Sequence, residues 1–269
     1  RGILEDMKQE KQAVVVIENQ KILERVFGNT QKTMVCSCCE KIMGKVYGKE
    51  GERLDSAMAV LGDFTFFAGK PDEVLIAYWP KESRETYRIL VPQDAEWEGM
   101  IEQYYGTRCR KITRYRMKKE PGIFLREILE KAAASIPEGV TLVCMDEALF
   151  YLSREQEWSR DFTALYEDFV VFKKLGLGVL AVKDGEILAG ASSYSSYSKG
   201  IEIEVDTRED WRRQGLAYAC CSRLILECLK RGWYSNWGAH NLESAALAKK
   251  LGYHLEEVYT AYEVFGGEV

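Results

Sequence analysis

The chain has 269 residues, of which 46% are apolar and 29% charged, and its formal net charge is −5. Those values describe a globular chain with a real core, long enough for one large domain or two ordinary ones. Net acidity argues against non-specific nucleic-acid binding, which needs clustered Lys and Arg; no apolar run approaches the roughly 20 residues of a membrane helix, so neither a nucleic acid nor a membrane is an expected partner.

The chain begins with Arg1 rather than Met, which points to trimming at this end and leaves a removed leader open. Residues 23–47 read as largely helical, with a break near Phe27-Gly28-Asn29-Thr30. The cluster Cys36-Ser37-Cys38-Cys39 lacks a second cysteine pair or a histidine at zinc-ligand spacing, and the chain holds only two histidines, His240 and His254, so no metal is expected. Eight cysteines, several of them adjacent, in a chain of this size without a secretory signal fit reduced thiols and a cytoplasmic location. Residues 61–68 form a compact apolar segment ending at the turn Gly69-Lys70-Pro71. Residues 74–78 and 87–91 read as strands closed by Pro80 and Pro92, 97–105 as a short helix, 111–117 as a strand with a basic face, and 124–134 as an amphipathic helix. Ile136-Pro137-Glu138-Gly139 is the natural boundary, giving an N-terminal α/β domain (1–138) of open role and a second domain (139–269).

The second segment is more legible. A strand at 141–145 is followed by a helical stretch, 158–175, closed by Gly176. Residues 179–182 and 187–197 form a hairpin around Asp184-Gly185. Residues 201–206, Ile-Glu-Ile-Glu-Val-Asp, alternate strictly and give a strand with one aliphatic and one acidic face. A helix over 216–231 ends at Gly232, a strand covers 234–239, Asn241 caps a helix running to Leu251 before Gly252, and 254–264 is the last strand.

One segment carries chemistry. Strand 201–206 leads through Arg212-Arg213-Gln214 to Gly215 and the helix start at Leu216-Ala217. The unpaired N–H groups and partial positive charge of a helix start attract phosphate. Glycine lets backbone approach a ligand, and the two arginines add charge for anionic oxygens. Neither Gly-x-Gly-x-x-Gly nor a Walker loop is present.

The spacing Arg-x-x-Gly-x-Ala after this strand, with Asn241-Leu242-Glu243-Ser244 opening the next helix and Lys250-Leu251-Gly252-Tyr253 closing it, resembles the GNAT superfamily of N-acetyltransferases. The runs Gly190-Ala191-Ser192-Ser193-Tyr194 and Ile201 to Thr207 resemble a bacterial branch that includes zwittermicin-resistance-type acetyltransferases and carries an extra N-terminal domain. The resemblance implies an α/β (α+β) chain: a C-terminal GNAT fold with a mixed, mostly antiparallel sheet flanked by helices, plus the N-terminal α/β domain. It implies acetyl-CoA as cofactor. Ile203 and Val205 would pair with the pantetheine amides as an added strand does. The segment from Arg212 and Arg213 through Gln214, Gly215 and Leu216 to Ala217 would hold the pyrophosphate, and Asn241 and Ser244 would touch the pantetheine or phosphate side. Strands 201–206 and 234–239 would splay to admit the thioester.

An amine acceptor must lose a proton, and the acidic face offers Glu202, Glu204 and Asp206; Glu204, in mid-strand, is the expected base, against the plain reading of a solvated face. Many members of the superfamily carry a tyrosine acid seven residues after the Asn. Ala248 stands there, and Tyr218 and Tyr262 are the substitutes considered. The expected activity is acetyl transfer to a small-molecule amine, which an acidic face suits. The alternative is a non-catalytic acyl-CoA sensor, which Ala248 favours, and an interaction scaffold ranks below both. Whether the first segment shapes the acceptor pocket, mediates a homodimer or is a degenerate second copy of the fold stays open.

Overall fold

A computed structural model describes residues 13–51 and 54–266, so the outer limits of the two expected domains, 1 and 269, lie outside it. In chain order the first half runs β1 (Val14–Val16), helices Gln20–Phe27 and Thr33–Cys39, β2 (Lys45–Lys49), β3 (Ser56–Leu61), β4 (Phe64–Gly69), helix Glu73–Ala77, β5 (Tyr87–Val91), helix Ala95–Tyr105 and β6 (Cys109–Met117). After the connecting helix Arg126–Ala134 the same order returns with one added short strand, β12. It runs β7 (Thr141–Cys144), helices Glu147–Ser153 and Phe169–Leu175, β8 (Gly178–Lys183), β9 (Glu186–Tyr197), β10 (Gly200–Thr207), helix Leu216–Lys230, β11 (Tyr234–Asn236), β12 (Gly238–Ala239), helix Leu242–Leu251 and β13 (Leu255–Phe265).

Among the described residues the strands make two mixed sheets flanked by helices. One has the order β1-β2-β3-β4-β5-β13-β6-β12 and the other β11-β10-β9-β8-β7. Strand pairing crosses the boundary expected at 138/139, because β13 lies between β5 and β6 and is antiparallel to both. Parallel pairing occurs at the equivalent point of each half, β4 with β5 and β10 with β11.

Three expectations on local structure are corrected. Residues 74–77 of the expected strand 74–78 lie in the helix Glu73–Ala77, because the Asp72 carboxylate accepts from Val74 N at 2.9 Å and caps it; Tyr78 is extended beyond its end. Residues 45–49 form β2 rather than continuing a helix; Gly44, at φ 73, ends the preceding turn in a conformation open to glycine. The stretch 158–175 is a 3-10 turn (Glu157–Phe162) and a separate helix that starts where Asp168 accepts from Val171 N at 2.9 Å.

The helix Leu216–Lys230 shows why the second half was readable. Leu216, Ala219, Cys220, Leu224 and Cys228 fall on one side and are buried against the smaller sheet. Truncating a side chain such as Leu224 to Ala removes packed atoms at a cost of about 2–5 kcal/mol. That burial fixes the helix start, and hence the loop before it, relative to β10.

Candidate active site and cofactor cradle

At the head of this helix Gly215 adopts φ 77, and no side chain caps the first turn. Two residues earlier Arg213 is also left-handed, at φ 64. Residues 212–215 are exposed while Leu216 is buried, so the loop is anchored from beneath and presents its backbone to solvent. A Cβ built at Gly215 would meet nothing within 4 Å, so the space over the helix start is open. Arg212 is tied back to the end of β10 by an Nε donation to the Thr207 carbonyl at 3.4 Å. Unpaired amides, a helix dipole and two exposed guanidiniums therefore converge at one place.

Next to this loop the strands part. β10 and β11 pair only from Gly200↔Tyr234 to Glu202↔Asn236. Beyond Asn236 the chain leaves the smaller sheet, and Gly238 and Ala239 pair instead with Arg116 and Tyr115 of β6. On the other side of β10 the register with β9 shifts between Glu202 and Ile203, leaving Tyr194 as the extra residue. From Ile203 on, the edge of β10 that faced β11 has no strand partner among the described residues. Single-strand patterning read 234–239 as one strand; the division between two sheets depends on β6 and is invisible locally.

The parting opens a cavity of about 410 Å³. Ile203, Glu204, Val205, Trp237, Gly238 and Ser244 line it from the second half, and Asp63, Phe64, Arg84, Tyr87 and Arg114 from the first. Trp237 Nε1 donates to Ser244 Oγ at 3.3 Å, and Asn241 Oδ1 accepts from Ser244 N at 2.8 Å. Ser244 thus faces the cavity, whereas Asn241 is exposed and acts as the helix cap.

The acidic face of β10 is not freely solvated: Glu202 is buried, and Glu204 and Asp206 are partly so. Glu202 accepts from Thr33 Oγ1 and, at 2.6 Å, from Asn236 Nδ2. Burial pushes its carboxyl upward and those two hydrogen bonds oppose the shift. It is therefore the tie that holds β10, β11 and the helix Thr33–Cys39 together at the point of divergence. Asp206, half-buried, accepts from Thr207 N at 2.8 Å. Glu204 differs: among the described residues no hydrogen bond or ion pair engages it, and burial, reinforced by Asp161 and Asp206, raises its carboxyl to about 8.

The two substitute acids are placed elsewhere. Tyr262 is buried in the core on the other face of the larger sheet and donates to Glu102 at 2.5 Å. Tyr218 packs beside Lys250, whose Nζ is 4.0 Å from the ring centre. Neither lines the cavity. Ala248 is buried against the sheet, so its position faces the core. The tyrosines that do line the cavity are Tyr87, pushed up to about 12 by burial, and Tyr194, which accepts from Asp63 N at 3.2 Å. Asp63, Asp161 and Arg114 carry no sequence signal, since no local pattern marks which loop and strand residues will face β10.

A model of the GNAT acetyltransferase family matches residues 24–262. A crystal structure of a GCN5-related N-acetyltransferase-like protein from Streptococcus suis 89/1591 is 42% identical, with a TM-score of 0.85 over 91% of this chain and 98% of that one. An uncharacterized N-acetyltransferase from Bacillus subtilis, YdfB, is 22% identical over 71% of each chain. A GCN5-related N-acetyltransferase from Sphaerobacter thermophilus, 14% identical, shares the fold with a TM-score of 0.57 over 97% of this chain and 98% of that one.

Proposed function

The chain belongs to the GNAT acetyltransferase family, and from that premise we propose that it transfers an acetyl group from acetyl-CoA to the amine of a small molecule. The observation that carries the proposal is the open, uncapped helix start at Gly215 lying beside the unpaired edge of β10. The amides from Arg213 to Ala217 would hold the pyrophosphate, with Arg212 and Arg213 adding charge. Ile203 and Val205 would pair with the pantetheine, and Ser244 would meet it from the opposite wall, with Asn241 holding Ser244 in place. When bound, acetyl-CoA supplies the acetyl group as a thioester, and transfer makes a C–N bond as the C–S bond breaks to give free thiol.

Glu204 is the proposed base. An ammonium acceptor must shed its proton before its nitrogen can attack, and the Glu204 carboxylate, poised near neutrality, takes it and passes it to solvent. The first half supplies the facing wall. Its own helix at the equivalent place, Glu73–Ala77, is closed by the Asp72 side chain, so one cofactor per chain is proposed. Eight free cysteines suit a reducing compartment, the cytoplasm, and no helix among the described residues is long and apolar enough to cross a membrane. Placement in the zwittermicin-resistance-like branch belongs to the same proposal and rests on the Gly190–Tyr194 and Ile201–Thr207 runs.

A second reading, an acyl-CoA sensor, draws on the buried Ala248. Free-thiol release from acetyl-CoA across an amine panel separates the two. Turnover with any amine supports transfer; coenzyme A binding without thiol release from any amine supports the sensor.

A further inference from the structure

Among the described residues, one arginine lining the cavity is in no ion pair. Arg114, on β6, is 9% exposed and lines the cavity. Its Nε donates to Tyr259 Oη at 3.3 Å, and its guanidinium lies 5.0 Å from the centre of the Phe64 ring. Among the described residues no carboxylate forms an ion pair with it, and its two terminal nitrogens donate to no protein group. Arg84, which also lines the cavity, and Arg110 and Arg116, which flank Arg114 on β6, are matched by carboxylates, whereas Arg88, buried on β5, is held by the Tyr78 carbonyl and the Thr65 hydroxyl. Arg84 meets Asp63 at 3.1 Å and Asp161 at 3.3 Å, Arg110 meets Glu263 at 2.6 Å, and Arg116 meets Glu256 and Glu257.

A guanidinium that is held largely out of bulk water and keeps its donor fork unpaired toward a cavity is suited to receive an anion there. Here the ring and the Tyr259 hydroxyl fix its position and leave the donor fork free. The carboxylates on the opposite wall feel its charge, which draws both downward against the effect of burial, but neither contacts it: Glu202 is engaged by Thr33 and Asn236, and Glu204 stands beyond ion-pair reach.

We propose that Arg114 anchors a carboxylate on the acceptor, so that the substrates are amines that also carry an acid group, such as amino acids, rather than simple amines or polyamines. This rests on the acetyltransferase reading above. A single guanidinium matches one planar carboxylate through two parallel hydrogen bonds. A dianionic phosphate would call for further free cations, and the other arginines around the cavity are paired. Phe64, Tyr87, Ile89 and Ile112 give the same wall an apolar surface, which suits an amino acid with an aliphatic or aromatic side chain. The acceptor would then span the cavity, its acid on Arg114 and its amine toward Glu204.

The test compares the protein amino acids with their carboxamides as acceptors, following thiol release from acetyl-CoA. For the accepted side chains, kcat/KM for the acid should exceed that for the amide by about tenfold or more, the size of a charge-assisted pair. In Arg114→Gln the ratio should fall to near one, and in Arg114→Lys it should be partly kept. Amides used as well as acids by the wild type, or a ratio untouched in Arg114→Gln, overturns the proposal. A second arm needs no turnover. With coenzyme A present, calorimetry should show N-acetylphenylalanine or N-acetylleucine binding at least tenfold tighter than its amide, an advantage absent from Arg114→Gln; equal binding, or none, overturns the anchor. Should coenzyme A bind while neither series releases thiol, transfer itself is refuted and the calorimetric arm still decides on Arg114.

Discussion

Replacing Glu204 by Gln removes a carboxyl whose titration is displaced from 4.5 to about 8. In the unfolded chain this group ionises near its ordinary value; in the folded protein it holds its proton until about pH 8. Between those values the folded state binds more protons than the unfolded one, so wild-type stability falls as pH rises through the window and levels off above it. At about 1.4 kcal/mol for each tenfold displacement, the ceiling on this loss is about 5 kcal/mol. Glu204 is only partly buried and faces an open cavity, so screening brings the expected loss to about 2–4 kcal/mol. Glu204→Gln carries no charge at any pH and should lack this dependence. Urea denaturation of both proteins from pH 4.5 to 9 provides the assay. The variant should gain on the wild type steadily with rising pH, and any fixed penalty for burying the amide cancels because it does not change with pH. Parallel stability curves for the two proteins would refute the displaced titration and the electrostatic picture of the cavity behind it.

Other outcomes follow from the same geometry. With Glu204 as base, kcat/KM for acetyl transfer should climb through an apparent pKa near 8, and Glu204→Gln should lower it by about a hundredfold or more while abolishing that limb; initial rates across pH check both. Glu202 ties two strands and a helix, so Glu202→Ala strands the Asn236 amide and the Thr33 hydroxyl and should cost about 2–4 kcal/mol in denaturant unfolding, whereas a solvated acid would cost almost nothing. Asn241→Ala loses the cap on Ser244 N and should destabilise by about 1 kcal/mol, with a parallel weakening of coenzyme A binding as Ser244 loses its support.

What could be read from the sequence was local. The hairpin at Asp184-Gly185, where both residues take positive φ, the alternating β10 and the one-sided apolar stripe of the helix Leu216–Lys230 are each specified within a dozen residues, and the structure has them where the pattern puts them. The helix Glu73–Ala77 was lost because five residues are too short for periodicity to outweigh Val and Ile, and its one local signal, Asp72, was passed over. The repeated order of elements was equally hidden, since the halves share topology but neither motif nor helix length. At the site, Gly215 and Glu204 announced themselves through motif and alternation. Arg114 did not, because it reaches the cavity through the insertion of β13 between β5 and β6 and the crossing of β12 to β6; Asp63 and Asp161 did not, because each lies in a turn set against β9 or β10 by tertiary packing. The acidic face was misjudged as a choice between base and solvated surface. Its three acids have three fates: Glu202 is engaged by partners distant in sequence, Asp206 accepts from the amide of its neighbour, and Glu204 has no hydrogen bond or ion pair among the described residues.

Coenzyme A titrated calorimetrically into the wild type and into Gly215→Val addresses the cradle itself. A branched side chain is strained at φ 77 and would fill the open space over the helix start without touching the core. The cradle predicts one site per chain in the wild type and an affinity at least tenfold weaker in the variant, with the thermal melting of the two free proteins within a few degrees. Equal affinity for coenzyme A in the two proteins would contradict it.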